Sequence, residues 1–334
     1  MKFLIVGVGA IGGVTAACMS KAGHDVTVVC RNDEIAYSLR SGGMHISGIY
    51  GEQKIPLNAV GSVEQLQDTY DCCIVATKSY DTVPAIQSIL PFVAKEGLVL
   101  VLQNGICIDE LLKVVDVQRA ACGVTSWSCT MLSPIHMEIT GSGQFVIGMT
   151  DGRSCPLLER IGDALSSVAP TEISESILEH MYAKLIINSG ITCGGALTGV
   201  LLGKLLKNAY ARKFFIAIVY EDMAVAKALD IKVPPFGGKL DYYKFVSGRH
   251  FWDHWRRHIM LLIIGIKYRN LKSSSLTALQ RGKKTEIDAL NGWICERGKS
   301  CAVPTPVNQK LTDMIKEIEA GTRTITINNL KELF

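Results

Sequence analysis

Three polar side chains interrupt an otherwise apolar segment at intervals of four residues: Lys184, Asn188 and Thr192. In a helix, this spacing places all three side chains on one face. A buried lysine is costly unless it is paired, and burial lowers its pKa. The pattern therefore predicts a lysine that can donate a proton near neutral pH.

A second polar constellation lies about a hundred residues downstream, where Ser273 and Ser274 are followed by Glu286 and Asn291. A carboxylate close to Lys184 would favour the charged lysine and so oppose the effect of burial on its pKa. The alternative is a structural ion pair that ties two helices together. The residues alone favour neither interpretation, because structural networks also perturb pKa values.

The N-terminal segment Gly7-Val8-Gly9-Ala10-Ile11-Gly12 lies between a predicted strand and a predicted helix. In this context, the first glycine permits a tight turn, the second lets the backbone approach a pyrophosphate, and the third allows close helix–strand packing. The helix N-terminus then offers N–H groups to the phosphates. The segment predicts a dinucleotide site, and a ligand-free glycine turn is the alternative.

Arg31 follows the second predicted strand, where a site specific for NAD would place a carboxylate. Its guanidinium suits the 2′-phosphate of NADP(H), which is therefore the favoured cofactor. Asp33 and Glu34 lie two and three residues after Arg31 and keep NAD as an alternative. An ordinary surface role for Arg31 also stays open.

Two loops follow further predicted strands and carry Lys78 and Asn104. Both loops should reach the carboxyl edge of the sheet, where open α/β folds bind ligands. Lys78 brings a positive charge, and Asn104 can donate and accept hydrogen bonds. Either residue could instead belong to a plain turn, since Asn-Gly is a common turn dipeptide.

The order of elements predicts an α/β fold in two domains. Apolar runs alternate with helical patterns up to about residue 174, which predicts a doubly wound, mostly parallel Rossmann sheet over residues 1–174. Residues 175–334 are predicted to form a largely helical domain, with the active site in the cleft between the two. This domain should include a helix over Ser275–Glu296, a loop over Lys232–Gly248 and a short strand over Thr324–Ile327.

Composition limits the function classes. The 334 residues are 48% hydrophobic and 20% charged with a net charge of +4, which fits a globular enzyme with anionic ligands and argues against a nucleic-acid partner. The eleven cysteines contain no CxxC pair, which predicts reduced thiols in the cytoplasm. The apolar run His258–Ile266 is far shorter than the roughly 20 residues that span a bilayer, so no membrane segment is expected.

A histidine series, His250, His254 and His258, has the spacing of helical zinc ligands. It has no glutamate in the HExxH position, so no metal site is expected. Trp252, Trp255 and the neighbouring arginines suggest a basic amphipathic segment at a surface. Packing of this segment on a second subunit, which would make a homodimer, is one possible role.

The chain resembles the ketopantoate reductase (2-dehydropantoate 2-reductase) family over nearly its whole length. The motifs that carry the resemblance, in order, are GVGAIGG, TKSYD, QNG, KLIIN, SS…GKKTEIDALNG and PTP.

The resemblance implies reduction of ketopantoate to D-pantoate with NADPH, in the pathway to pantothenate and coenzyme A. It implies that Lys184 is the general acid and that Glu286 is its acidic partner, which also contacts substrate and cofactor. The other implied binding residues are Asn104, Asn188, Thr192 and Ser274 for the substrate, and Gly7, Gly9, Ala10, Ile11, Gly12, Arg31, Lys78 and Asn104 for the cofactor.

Three positions depart from the family pattern: Thr192, where many members have asparagine, and Ser275 and Ala278, in place of methionine and aspartate. These departures keep two alternatives open. One is a related NADPH-dependent reductase of another branched 2-oxo acid. The other is a non-catalytic NADP-binding protein, against which the intact Lys184 and Glu286 argue.

Overall fold

The computed structural model describes residues 1–237, 240–248 and 250–334, which form two compact units, Met1–Leu178 and Glu179–Phe334. The first unit is an α/β domain and the second is helical, as expected. The first unit holds twelve strands within two sheets: β1 (Lys2–Val6), β2 (Asp25–Val29), β3 (Met44–Gly48), β4 (Gln53–Ile55), β5 (Asn58–Val60), β6 (Tyr70–Val75), β7 (Val93–Val101), β8 (Ala120–Thr125), β9 (Ser128–Ser133), β10 (His136–Gly141), β11 (Phe145–Met149) and β12 (Thr171–Ile173).

The larger sheet has eight strands in the order β5-β2-β1-β6-β7-β8-β11-β12. Its first six strands are mutually parallel, and β11 pairs antiparallel with β8. Strand β1 is central and its side chains Phe3, Leu4 and Ile5 are fully buried, as expected for a strand covered on both faces. The predicted doubly wound, mostly parallel Rossmann sheet is confirmed.

Five helices accompany these strands: α1 (Ala10–Lys21), α2 (Asp33–Ser41), α3 (Thr82–Ile89), α4 (Ile108–Leu112) and α5 (Pro156–Leu165). Because β1, β6 and β7 are parallel neighbours, their carboxyl ends meet at one edge of the sheet. The loops that begin at Gly7, Ala76 and Leu102 therefore start at this edge.

A second sheet, with strand order β4-β3-β10-β9, is absent from the predictions. Met44 and Met137 from this sheet are fully buried and pack at Gly13 of α1, where a Cβ would meet both methionine side chains at 3.0–3.2 Å. Strand β9 has no buried side chain, so it lacks the apolar alternation that would have revealed it.

The second unit is built from helices: α6 (Ile177–Thr198, whose first two residues belong to the first unit), α7 (Leu202–Lys207), α8 (Ala209–Ala228), α9 (Tyr242–Val246), α10 (Phe251–Lys267), α11 (Ser274–Gln280), α12 (Asn291–Ser300), α13 (Pro306–Glu319) and α14 (Asn329–Glu332).

Three predictions for this unit are wrong. The expected helix over Ser275–Glu296 is two helices, because the chain turns at Gly282 with φ +64° and only resumes a full helix at Asn291. The expected strand over Thr324–Ile327 is an irregular segment. The expected loop over Lys232–Gly248 contains α9, which starts where the Asp241 carboxylate accepts from the Lys244 N–H at 3.0 Å; Gly238 of that stretch lies outside the described residues.

No helix within the described ranges is long and apolar enough to cross a membrane. The described residues also contain no group of three or more His, Cys, Asp or Glu side chains placed to hold a metal ion.

Candidate active site

The glycine turn after β1 has the geometry of a dinucleotide site. Gly7 has φ +98°, and a Cβ there would lie 2.7 Å from the Ala76 carbonyl carbon. A Cβ at Gly12 would collide with the Gly7 carbonyl oxygen, so Gly12 sets the close helix–strand packing. At Gly9, by contrast, a Cβ would meet no atom within 4 Å. Helix α1 has no acidic residue in its first turn and no side-chain cap, so this N-terminus fits a dinucleotide pyrophosphate.

In the turn after β2, the side chain of Asn32 has a structural role, whereas the side chain of Arg31 is available to a ligand. The Asn32 side chain accepts from the Ile35 N–H at 3.0 Å and caps α2. The Asp33 carboxylate accepts from Gln65 Nε2 at 2.8 Å. Arg31 is exposed and makes no hydrogen bond or ion pair with the described part of the chain. The guanidinium therefore remains available to an anion, whereas Asp33 already has a partner.

Gln103 connects the two loops that carry Lys78 and Asn104, and sequence reasoning missed it. The side chain is buried, and Nε2 lies 2.9 Å from Thr77 Oγ1 and 3.0 Å from the Lys78 carbonyl oxygen. Its Oε1 accepts from Thr82 Oγ1 at 2.6 Å. Gln103 thereby fixes the Lys78 loop to the strand end that presents Asn104, which is partly exposed. Its position directly before the Asn-Gly turn was the available signal.

Lys184 and Glu286 interact within the second unit. Lys184 lies in the middle of α6 and is only partly exposed, and Glu286 is 5% exposed directly before a 3-10 turn over Ile287–Ala289. Burial lowers the pKa of Lys184 to about 8, and the charge of Glu286 opposes this shift. The direction is the one expected from the sequence. A lysine in this state can both hold and release a proton near neutral pH.

The other polar residues of the α6 face lie next to α11. Asn188 and Thr192 are partly exposed, with Thr192 Oγ1 3.5 Å from Asn188 Oδ1. Ser273 caps α11 by accepting from the Leu276 N–H, and its Oγ donates to the Thr192 carbonyl oxygen at 2.6 Å. Ser274, the serine predicted to bind substrate, is the exposed first residue of α11. Ser273 thus holds Ser274 beside the polar face of α6.

Asn291 belongs to a buried hydrogen-bond network. Its Nδ2 donates to Asn308 Oδ1 at 2.7 Å and approaches the Ser189 carbonyl oxygen at 3.4 Å. Asn308 Nδ2 in turn lies 2.9 Å from Glu221 Oε2 and 3.0 Å from Asp222 Oδ1. Asp222 is fully buried, and burial raises the pKa of this carboxyl well above its usual value. The network ties α6, α8, α12 and α13 together.

Two of the three departures from the family pattern are buried. Ser275 is 4% exposed and Ala278 is 9% exposed on α11, whereas Thr192 is partly exposed. Of the three positions, Thr192 is therefore the most accessible to a ligand.

The histidine series begins at His250, the N-cap residue of α10, and continues within the helix, whose arginines are held within the unit. Arg257 is buried and donates to the carbonyl oxygens of Phe245 and Ser247 at 2.7 and 2.6 Å. His258 accepts at Nδ1 from Arg212 Nε at 3.2 Å, and burial lowers the pKa of its imidazole. The expected basic surface is wrong for Arg257, because this guanidinium points inward.

The fold and these residues define an oxidoreductase with a Rossmann dinucleotide-binding unit and a helical unit that carries a lysine–glutamate pair. Two family models match in sequence order. Residues 3–152 match the model described as ketopantoate reductase PanE/ApbA, and residues 176–319 match ketopantoate reductase PanE/ApbA C terminal. The chain belongs to the ketopantoate reductase family, which confirms the resemblance.

Curated relatives are similar over nearly their full length. The chain is 30% identical over 325 residues to 2-dehydropantoate 2-reductase of Aquifex aeolicus (strain VF5), covering 96% of this chain and 97% of that protein. It is 28% identical to the enzyme of the same name from Pyrococcus abyssi (strain GE5 / Orsay), covering 96% and 98%.

Solved structures share the fold. A PanE/ApbA family ketopantoate reductase from Ralstonia eutropha JMP134 matches with a TM-score of 0.81 and 26% identity, covering 97% of this chain and all of that one. D-mandelate dehydrogenase, solved with NADH and anilino(oxo)acetate, matches with a TM-score of 0.82 at 23% identity, covering 97% and 100%. Because one fold is compatible with different substrates, the 2-oxo acid has to be argued from the site.

Proposed function

We propose that this chain reduces 2-dehydropantoate (ketopantoate) to D-pantoate with NADPH, as a step of pantothenate and coenzyme A biosynthesis. The observation that carries the proposal is the partly buried Lys184 with a pKa of about 8 that interacts with the buried Glu286. Family membership and the two 2-dehydropantoate 2-reductase relatives support the choice of substrate.

NADPH, when bound, supplies the hydride that reduces the C2 carbonyl of the substrate. The Lys184 ammonium stabilises the negative charge that develops on the carbonyl oxygen and donates its proton to that oxygen, which becomes the product hydroxyl. Glu286 keeps Lys184 protonated and accepts a hydrogen bond from a substrate hydroxyl. Asn104, Asn188, Thr192 and Ser274 orient the substrate.

The cofactor proposal rests on the first unit. Gly7, Gly9, Ala10, Ile11 and Gly12 would bind the pyrophosphate through the N-terminus of α1. Arg31 would bind the 2′-phosphate, which favours NADPH over NADH, because a charge-assisted hydrogen bond contributes roughly 1.5–3 kcal/mol. Lys78 would add a positive charge at the edge of the same sheet.

Substrate identity is tested by NADPH oxidation with a panel of 2-oxo acids that includes ketopantoate and its straight-chain and aromatic analogues. We expect the highest kcat/KM with ketopantoate. A higher value with another acid would assign the chain to a related reductase, for which the departure at Thr192 is the structural argument. Binding of NADPH without turnover of any acid would refute both enzyme functions.

The cofactor assignment is tested with Arg31→Ala, and Arg160→Ala on α5 is the matched control. We expect the ratio of kcat/KM for NADPH to that for NADH to fall at least tenfold in the Arg31 variant and to stay unchanged in the control. An unchanged ratio in Arg31→Ala would show that another group binds the 2′-phosphate.

We also propose that the chain acts as a homodimer. The support for this is the apolar surface of α10, where Trp252, Trp255, Ile263 and Ile266 are exposed.

A further inference from the structure

The charged residues are divided unequally between the two units. The first unit carries 11 Lys and Arg side chains against 18 Asp and Glu, which gives a formal charge of −7. The second unit carries 24 against 13, which gives a formal charge of +11. The modest net charge of +4 is therefore the difference between an acidic unit and a strongly basic helical unit. A charge of this size gives the helical unit a field that attracts anions.

The positive charge of the helical unit comes mainly from two stretches without acidic residues. Residues 180–220 contain five Lys and Arg, residues 254–285 contain eight, and neither stretch contains Asp or Glu. The two stretches are in contact, because Ser273 Oγ donates to the Thr192 carbonyl oxygen at 2.6 Å. Thr192 and the neighbouring Ser274 are both proposed to bind the substrate. The acid-free stretches therefore meet at proposed substrate residues.

Three exposed lysines of the second stretch lie on either side of α11, and we call them the lysine rim. Lys272 lies two residues before this helix, and Lys283 and Lys284 follow it. The Lys283 N–H donates to the Ala278 carbonyl oxygen at 3.0 Å, so the chain folds back onto the end of α11. Lys284 is followed within two residues by Glu286. The rim is thereby placed next to both Ser274 and the segment that carries Glu286.

The lysine rim is not neutralised within the described ranges of the chain. Its three ammonium groups make no hydrogen bond or ion pair with the described residues. Two carboxylates close to it in the fold have other partners. Glu319 Oε1 accepts from the Thr285 N–H and hydroxyl at 2.6 and 2.7 Å, and Asp288 lies 2.6 Å from Lys316 Nζ. Ordinary solvated surfaces intersperse both signs of charge, so three unpaired lysines beside a proposed site are informative.

The residues proposed to bind the substrate provide no net positive charge for its carboxylate. The charges of Lys184 and Glu286 oppose one another, and the Lys184 proton is committed to the carbonyl oxygen. The remaining proposed contacts are neutral amide and hydroxyl groups: Asn104, Asn188, Thr192 and Ser274. A 2-oxo acid is an anion near neutral pH, and the buried Glu286 carboxylate repels it. The lysine rim supplies the positive field that offsets this repulsion.

We propose that Lys272, Lys283 and Lys284 recognise the carboxylate of the 2-oxo acid through their field, and so select anionic substrates over uncharged ketones. The rim raises the concentration of the anion at the site and takes no part in proton or hydride transfer. This inference rests on the proposed reductase function and adds to it the residues that select for charge.

The first test is the KM for ketopantoate at saturating NADPH in the triple variant Lys272→Gln/Lys283→Gln/Lys284→Gln. At an ionic strength of about 0.01 M, where the Debye length is about 30 Å, we expect KM to rise about tenfold with kcat unchanged. At about 1 M, where the Debye length is about 3 Å, the difference from the parent chain should shrink below about twofold. A rise in KM that persists at high salt would show a local structural effect and would overturn the proposal.

The matched control is Lys299→Gln/Lys310→Gln/Lys331→Gln, which removes three exposed lysines from the same unit away from α11. We expect this variant to keep KM within about twofold of the parent at both salt concentrations, because the effect depends on the position of the charges. An equal rise in KM in both triple variants would show that net charge alone is responsible and would refute the role of the rim.

The second test compares the acid with its uncharged methyl ester, used as a competitor of ketopantoate. The rim variant should leave the inhibition constant of the ester within about twofold of the parent value, because the ester has no charge to attract. An equal loss for ester and acid would refute recognition by charge. Turnover of ketopantoate with a KM that the rim variant leaves unchanged would refute this inference alone, whereas no turnover of any 2-oxo acid by the parent would refute the proposed function and this inference together.

Discussion

The pH dependence of the reduction tests the lysine–glutamate pair in detail. If Lys184 donates the proton and has a pKa of about 8, kcat/KM follows the protonated fraction of this side chain. That fraction is about 91% at about pH 7 and about 9% near pH 9, so kcat/KM should fall about tenfold across this interval. A lysine with its ordinary pKa of 10.5 would still be almost fully protonated near pH 9 and would show no such fall.

The informative perturbation is Glu286→Gln, which removes the negative charge and keeps the shape of the side chain. Because Glu286 raises the pKa of Lys184 against the effect of burial, its loss should move the midpoint of the profile below about 8. Asp288→Asn is the control. This carboxylate lies two residues away, is exposed, and pairs with Lys316, so its loss should leave the midpoint unchanged.

The assay is kcat/KM for ketopantoate over the alkaline range, with the deuterated cofactor to establish that hydride transfer limits the rate. A parent profile without a descending limb near pH 8 would refute the role of Lys184 as proton donor. An unchanged midpoint in Glu286→Gln would refute the role of Glu286 in setting its pKa.

Other predictions concern the fold around the site. Gly12→Ala should prevent stable folding of the first unit, measured by thermal unfolding, because a Cβ there collides with the Gly7 carbonyl oxygen. Gly9→Ala should change the unfolding free energy by less than about 1 kcal/mol, yet raise the Kd for NADPH at least tenfold in fluorescence titration; unchanged binding would contradict the pyrophosphate site. Gln103→Leu should lower the free energy of unfolding, measured in denaturant, by about 1–3 kcal/mol, and it should raise the KM for NADPH. An unchanged KM would show that the conformation of the Lys78 loop does not depend on Gln103. Asn308→Ala should lower the free energy of unfolding by about 2–4 kcal/mol, because the buried Asp222 and the partly buried Glu221 carboxyl groups lose a donor; a loss below about 0.5 kcal/mol would show that the network is not structural.

The sequence predicted the elements that have strong local signals. The glycine turn, the central strands and the long helices follow from apolar runs, hydrophobic periodicity and glycine positions. The pairing of Lys184 with Glu286 was suggested only by a buried lysine that needs a partner, and the family resemblance selected which carboxylate it was.

The features that sequence reasoning missed depend on contacts between residues that are distant in the sequence. The second sheet pairs β3 with β10 across about ninety residues, and no local pattern specifies that pairing. In the sequence, Gln103 and Ser273 have no feature that distinguishes them from other loop residues. Their roles depend on partners that only the fold places beside them, Thr77 for Gln103 and the Thr192 carbonyl oxygen for Ser273. The prediction of one helix over Ser275–Glu296 is wrong because Gly282 adopts φ +64° just after α11 ends at Gln280.

The most direct test of the central claim is single-turnover hydride transfer from NADPH to ketopantoate in Lys184→Ala, with Lys204→Ala on α7 as the matched control. We expect the rate in the Lys184 variant to fall by at least about a hundredfold, with unchanged Kd for NADPH, and the control to retain the parent rate. A Lys184 variant that keeps the parent rate, or loses it only by unfolding, would show that Lys184 and Glu286 form a structural ion pair.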